Sequence, residues 1–249
     1  MYARSSAGGT VFLCGNATWH VILLSLKHMN KHKKITMGIS LLLMLLTILG
    51  KAQKQFTEGT IVYDVTVKTG SNEPQTADLL DGATQKVFLK GHLSRTEMTS
   101  LLGTSVTIHD TKNGSAIRLN EYGEQKIMTR LTKENFAEAN KKYEGVVFEK
   151  TSEEKTIAGY KCVKAVGKLK DGTTFTVYYT TDLVPMNKEF DMQFKSLPGL
   201  ALEYEATIGG LQVTFTASKI SYDLVPASKF EAPKSGYREL SYEESKGIK

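Results

Sequence analysis

The chain has 249 residues, 41% of them hydrophobic, and carries 32 Lys and Arg against 26 Asp and Glu, a formal charge of +6. The excess is local: Arg4, Lys27, Lys31, Lys33, Lys34 and Lys51 precede Gln53 and no acidic residue does, so the remainder holds 26 of each sign. No basic stripe is left to follow a phosphate backbone, which excludes nucleic-acid binding as the meaning of the apparent basicity.

In chain order, residues 29–52 read as an export leader. Met29 is followed by Lys31, His32, Lys33 and Lys34, then an apolar run from Ile35 to Leu49, then Gly50-Lys51-Ala52. Small residues at Gly50 and Ala52 place the cut between Ala52 and Gln53 and the mature protein in the periplasm or outside the cell. Residues 1–28 are expected to be an upstream extension, because Met29 supplies the charged start that a leader needs and Met37 would lose the lysines. The apolar run is shorter than the ~20 residues of a spanning helix, so no transmembrane anchor is expected after cleavage. Cys162 is then the single cysteine, which rules out an internal disulfide, and no cysteine at the cut offers a lipid attachment point. One β-rich domain is expected over 53–234, followed by a polar, loose tail from Ser235 to Lys249.

The mature chain has a period of two. From Thr60 to Lys68, Ile61, Tyr63, Val65 and Val67 alternate with Asp64, Thr66 and Lys68, the pattern of a half-buried strand. Short strands are expected at Lys86–Leu89, Leu93–Thr99, Ser105–His109, Ala116–Asn120 and Lys126–Leu131, broken by Gly91, Gly103, Asn113-Gly114 and Gly123. Two hairpins follow: Tyr160–Leu169 with Thr173–Thr181 across Lys170-Asp171-Gly172, and Leu200–Ile208 with Leu211–Tyr222 across Gly209-Gly210. Phe175, Val177, Val213 and Phe215 are expected on the same buried face as the apolar set of Thr60–Lys68. Helices are few: Thr132 caps Lys133–Tyr143, Met186–Lys195 spaces Phe190 and Phe194 four apart, and Leu79-Leu80 fits a short third. The expected fold is mainly β (α+β), one curved antiparallel sheet or half-barrel of eight to ten strands with two or three covering helices.

Candidate chemistry is sparse. His92 and His109 are the only histidines after Gln53, and His109-Asp110 with Asp64 is the one set resembling metal ligands, without a His-x-His or His-Glu-x-x-His spacing. No Gly-x-Ser-x-Gly elbow or phosphate loop occurs after Gln53. Cys162 has no base near it in sequence and reads as a small core residue. Glu153-Glu154 and Glu203/Glu205 read as solvated strand faces. Tyr63, Tyr143, Tyr160, Tyr178, Tyr179, Tyr204 and Tyr222 read first as strand formers, with the wall of an apolar or carbohydrate site as the alternative. No catalytic residue, metal ligand or cofactor is expected.

Three segments carry a family resemblance: Ile157-Ala158-Gly159-Tyr160-Lys161-Cys162-Val163-Lys164-Ala165, the strand Phe175–Thr180, and Ser196-Leu197-Pro198-Gly199-Leu200-Ala201-Leu202-Glu203-Tyr204. Together they resemble secreted Gram-negative proteins known by the motif Gly-Leu-Pro-Gly-Leu-Ile. They also resemble a neighbouring uncharacterised secreted domain ending in Val-Pro-x-Ser-x-Phe-x-x-Pro, here Val225–Pro233. Ser196 and Ala201 stand where the named motif has Gly and Ile, which favours the neighbour. The resemblance implies an architecture like that of periplasmic lipoprotein carriers, a fold-level analogy. Pro198 fixes its own backbone and biases Leu197 to extended geometry, while Gly199 is expected to supply a positive φ. The segment is either a lid that touches ligand or a buried turn that starts a core strand. In the first case Leu197, Pro198, Gly199 and Leu200, with Tyr179 and Phe194, are the ligand contacts.

Two functions follow. One is a non-enzymatic exported carrier of an apolar, lipid-like ligand; the other is an envelope protein–protein interaction module with a filled core. A hydrolase whose site converges only in the fold is a distant third.

Overall fold

A computed structural model of the chain describes residues 53–68, 80, 82–208 and 210–247. The upstream extension, the leader with Ala52, Leu79 and Gly209 lie outside the described residues. The strands are β1 (Lys54–Phe56), β2 (Glu58–Lys68), β3 (Thr84–Lys90), β4 (Leu93–Ser100), β5 (Gly103–Asp110), β6 (Ala116–Tyr122) and β7 (Gln125–Leu131). Helix α1 (Lys133–Ala139) follows, then β8 (Val147–Ile157), β9 (Tyr160–Lys168), β10 (Thr174–Thr180), β11 (Leu183–Pro185), β12 (Leu200–Ile208), β13 (Leu211–Ser221), β14 (Arg238–Leu240) and helix α2 (Tyr242–Lys246).

Twelve strands form one open sheet in the order β14-β7-β6-β5-β4-β3-β2-β13-β12-β10-β9-β8, not closed into a barrel. Every pairing is antiparallel except β14 on β7. β1 and β11 form a separate parallel pair. The strand count exceeds the expected eight to ten because four strands carry no alternating signal. β1, β11 and β14 are only three residues long. β8 reads Val-Phe-Glu-Lys-Thr-Ser-Glu-Glu-Lys-Thr-Ile, a charged edge strand with a register shift between Lys150 and Glu154. Charge and a bulge are the devices that keep an edge from pairing with another chain, and they erase the pattern that marks an interior strand.

The expected faces hold. Ile61, Tyr63, Val65, Val177, Val213 and Phe215 are buried, and Val67 and Phe175 pack partly buried against the same cluster. The register extends this face across β3–β7 in three rows. Leu89, Ser94, His109, Ala116 and Leu131 form one; Val87, Thr96, Thr107, Arg118 and Thr129 the next; Gln85, Met98, Ser105, Asn120 and Ile127 the third. The face is therefore apolar from β3 to β9 and turns polar in the middle of β4–β6.

Different elements cover the two faces. Over the shared face, α1 and α2 close its β6–β7 end, where Phe136, Ala139 and Tyr242 meet Ala116 and Leu131. Phe56, Leu183 and the segment from Phe190 to Leu200 close the apolar half. On the opposite face Phe230, Ala232 and Tyr237 pack on Val106, Ile108, Leu119 and Met128. The C-terminal stretch is thus not the expected loose tail: β14 pairs with β7, Leu240 is buried, and Ser241 and Glu244 form a capping box on α2. Thr132 does cap α1, which ends at Ala139 and continues as a 3-10 turn at Lys141–Tyr143.

The expected helix over Met186–Lys195 is replaced by a single 3-10 turn at Lys188–Phe190. Asn187 accepts the Glu189 backbone N–H at 3.1 Å and Asp191 accepts that of Gln193 at 3.0 Å. Such local side-chain bonds compete with the helical ladder, so Phe190 and Phe194 follow no helical register. Leu80 is helical and buried.

The hairpin joining β8 to β9 turns on Ala158 (φ 48°) and Gly159 (φ 83°), the left-handed pair that a two-residue hairpin loop demands. Alanine adopts that region at a cost of roughly 1 kcal/mol. Ala158→Gly should therefore raise stability by about 0.5–1 kcal/mol in urea unfolding, whereas Ala158→Val, which is β-branched, should lower it. Equal midpoints for the two variants would contradict this turn geometry.

Candidate functional site

The Leu-Pro-Gly segment is a buried turn that starts β12. Leu197 and Leu200 are each 1% exposed, Tyr179 and Phe194 are buried with them, and of the expected contacts Pro198 alone faces solvent. Phe194 stands 4.8 Å from the Tyr204 ring and 6.2 Å from Phe175, and Tyr204 stacks on Phe215 at 4.8 Å. The expected contact set is thus brought together, but its apolar atoms meet protein. The backbone N–H of Leu197 donates to Phe194 O at 2.9 Å. The motif departure at Ser196 has a local use, since its hydroxyl donates to Val146 O at 3.1 Å and ties the turn to the α1–β8 connection. Gly199 does not supply the expected positive φ. It is required for close approach: a Cβ there would lie 1.9 Å from Thr180 O.

Beside this turn the described residues form an open groove of about 670 Å³. One wall is Ala137 of α1 with Tyr143 and Val146 of the following connection; the other is Met192 and Ser196. Glu138, Lys141, Glu144 and Lys195 also border it. Its size is that of a small-molecule site, with an apolar wall and charged groups that fix an orientation.

Under the same segment lies a polar cluster. Tyr63 donates to Ala201 O at 2.9 Å, Gln85 Nε2 donates to Tyr204 Oη at 2.7 Å, and the two tyrosine rings meet edge to face at 5.8 Å. The Asp191 carboxylate acts on both phenols, and loss of hydration pushes its own pKa up to about 6. Perturbed carboxyls of this kind are candidate site residues. Nothing in the sequence marks Asp191, which sits in a stretch patterned like a helix; the Asn187-x-Glu189 and Asp191-x-Gln193 spacings of local caps are the only available signal.

The other candidates disperse. His109 is 3% exposed, stacks 3.9 Å from Phe136, and is held neutral by burial, with Nδ1 unpartnered. His92 reaches Asp110 at 3.6 Å on the surface. Among the described residues no group of three metal-ligating side chains converges, and Asp64 instead accepts a bond from Ser218. Cys162 is fully buried and its thiol is pushed up to about 11, unsuited to nucleophilic work. The glutamates form an ion-paired strand surface: Glu203 with Lys155 at 2.5 Å, Glu154 with Lys161 at 2.6 Å, and Glu153 with Lys164 at 2.7 Å and with the Tyr178 hydroxyl.

Two outcomes follow from this geometry. Gly199→Ala should cost about 1–3 kcal/mol in urea unfolding, because the clash is with a backbone carbonyl that cannot rotate away. Asp191 keeps its proton to about pH 6 in the folded chain, against ~3.9 when unfolded. The folded state thus binds more protons between these values, and stability falls as pH rises from about 4 to 6. Asp191→Asn should remove that slope and be more stable at pH 7 by ~1–2 kcal/mol, the partial exposure of Asp191 discounting the full shift. Parallel pH profiles for the two proteins would assign the carboxyl an ordinary, hydrated setting.

Among solved structures the chain is similar to PNGF-II at 16% identity, covering 76% of this chain and 32% of that one, with a TM-score of 0.41. It is similar to an uncharacterised conserved protein from Thermus thermophilus at 10% identity, covering 81% and 99% respectively, with a TM-score of 0.42. Its similarity to MucB is 15% identity over 76% of this chain and 62% of that one, at a TM-score of 0.37. The chain thus spans about a third of the PNGF-II chain, and at these scores the likenesses assign neither ligand nor activity. No curated protein matches. The profile of the family described as a domain of unknown function, DUF4412, matches residues 75–236, more than half of the chain, and the chain belongs to that family.

Proposed function

We propose that this DUF4412 protein is an exported, non-enzymatic binding protein of the cell envelope that carries an apolar, lipid-like ligand. The observation that carries the reading is the open groove beside the Leu-Pro-Gly turn, walled by Ala137, Tyr143, Val146 and Met192. The ligand seat is then the outer flank of the turn, while Leu197, Leu200, Tyr179 and Phe194 support it from beneath. Export is supported by the leader pattern at 29–52. Among the described residues no helix is long and apolar enough to span a membrane. The motif resemblance to secreted proteins, and the fold-level analogy to lipoprotein carriers that it implies, add to this reading.

Binding would rest on area burial. Each CH₂ group removed from water contributes ~0.8 kcal/mol, so about five of them offset an association cost of ~4 kcal/mol and each further one adds affinity. No charged partner is required, which suits a mature chain of net charge zero. The second reading, an interaction module, is favoured by the filled core at the predicted contact residues and by the exposed Leu101 and Leu102 of the β4–β5 turn.

The test is binding of the neutral fluorescent probe N-phenyl-1-naphthylamine, together with solvent extraction and mass spectrometry of protein purified from an exporting host. Ala137 is exposed on α1, so Ala137→Trp fills the groove without disturbing the core. The carrier reading expects co-purified apolar molecules, probe binding, and at least a tenfold loss of it in Ala137→Trp. Protein that purifies empty and leaves the probe unbound would move the assignment to the interaction module.

A further inference from the structure

We propose that Arg118 anchors a second binding site, for an oxyanion-bearing small ligand, on the polar stretch of the shared sheet face. Arg118 lies in the cross-strand row between Thr107 of β5 and Thr129 of β7. The positions that β4–β7 present on this face are otherwise hydroxyls, amides, aromatics, small or aliphatic side chains and the neutral His109, so the guanidinium is their one fixed charge. The acids of these strands fall on the opposite face, where they are used. Arg95 pairs with Glu97 at 2.5 Å, Arg130 with Glu239 at 2.9 Å, and Glu121 with Lys126 at 3.2 Å.

Arg118 is half-buried and, among the described residues, makes no ion pair and no side-chain hydrogen bond. A partly dehydrated guanidinium with no carboxylate beside it gains from an oxyanion partner, and a carboxylate or phosphate matches its planar fork. The space for that partner is present: Arg118, Asn120, Tyr122, Gln125, Thr129 and Ser245 line an open groove of about 550 Å³ under α2. Asn120 accepts from Ser105 at 2.9 Å through Oδ1, which leaves its amide N–H₂ to donate into the groove alongside the guanidinium. The site shares no lining residue with the apolar groove beside the Leu-Pro-Gly turn. Its occupancy is therefore independent of the function proposed above.

The experiment is calorimetric titration of the full chain with inorganic phosphate, acetate, dodecyl phosphate and dodecanoate, with dodecanol as the uncharged control. Anionic probes should bind, and Arg118→Gln should weaken them at least tenfold with a melting temperature no lower than that of the parent chain, while N-phenyl-1-naphthylamine binding is untouched. Phosphate and acetate binding alone identifies a free anion as the source; binding of only the dodecyl anions identifies a lipid headgroup. Thr107→Glu, which places a carboxylate opposite the guanidinium, gives a second variant should Arg118→Gln fail to fold. It should abolish anion binding and raise the melting temperature. The proposal is overturned if no anionic probe binds, or if every anionic probe that binds the parent chain binds Arg118→Gln and Thr107→Glu as tightly.

Discussion

The central ladder of β13, β2 and β3 is the constraint on which the rest of this fold depends. Ile61, Tyr63 and Val65 are each no more than 2% exposed, and they face Ile220, Ala217, Phe215 and Val87 across the ladder. A slip of one residue would send all three to the wet face and bring Asp64 and Thr66 inward. The register is fixed a second time by Tyr63, whose hydroxyl reaches Ala201 O and so locates the start of β12. From that point the turn at Gly199, the Phe194–Tyr204–Phe215 stack and the covering segment follow as packing consequences.

The shared face has two regimes. From β3 to β9 it is a filled apolar interior that stabilises the chain; across the middle rows of β4–β6 it presents hydroxyls, amides and Arg118. Burying polar side chains costs stability unless they are hydrogen-bonded, so a protein gains nothing by covering such a stretch tightly. The half that folds the protein and the half proposed to meet another molecule are therefore neighbours on one sheet, and they need no separate domain. A binding role with no catalytic constellation among the described residues is consistent with that division.

Much of this is legible in the sequence where a residue's neighbours in the chain determine its surroundings. The alternation in β2 and β13, the Asp171-Gly172 hairpin and the Thr132 cap all depend on local spacing, and each is found. The edge strand β8 is illegible because only Phe148 near its start and Ile157 at its end pack on the core, and the charged stretch between them needs no alternation. β1, β11 and β14 are too short to show a period. Local spacing assigns Gly199 to a positive-φ turn, whereas the deciding contact comes from Thr180, nineteen positions earlier. Asp191 and Arg118 gain their meaning only from surroundings that the fold assembles from distant parts of the chain, which one-dimensional spacing does not encode.

The division of the sheet face is tested most directly by thiol accessibility in the native chain, read peptide by peptide with mass spectrometry after brief alkylation. Cys162 is an internal reference, since it is fully buried. The account expects Cys162 and Val177→Cys to stay protected until the chain unfolds, while Asn120→Cys is modified in the folded chain, at least tenfold faster than either. Protection of Asn120→Cys equal to that of Val177→Cys would mean that the polar stretch is as closed as the core, and would contradict the two-regime face.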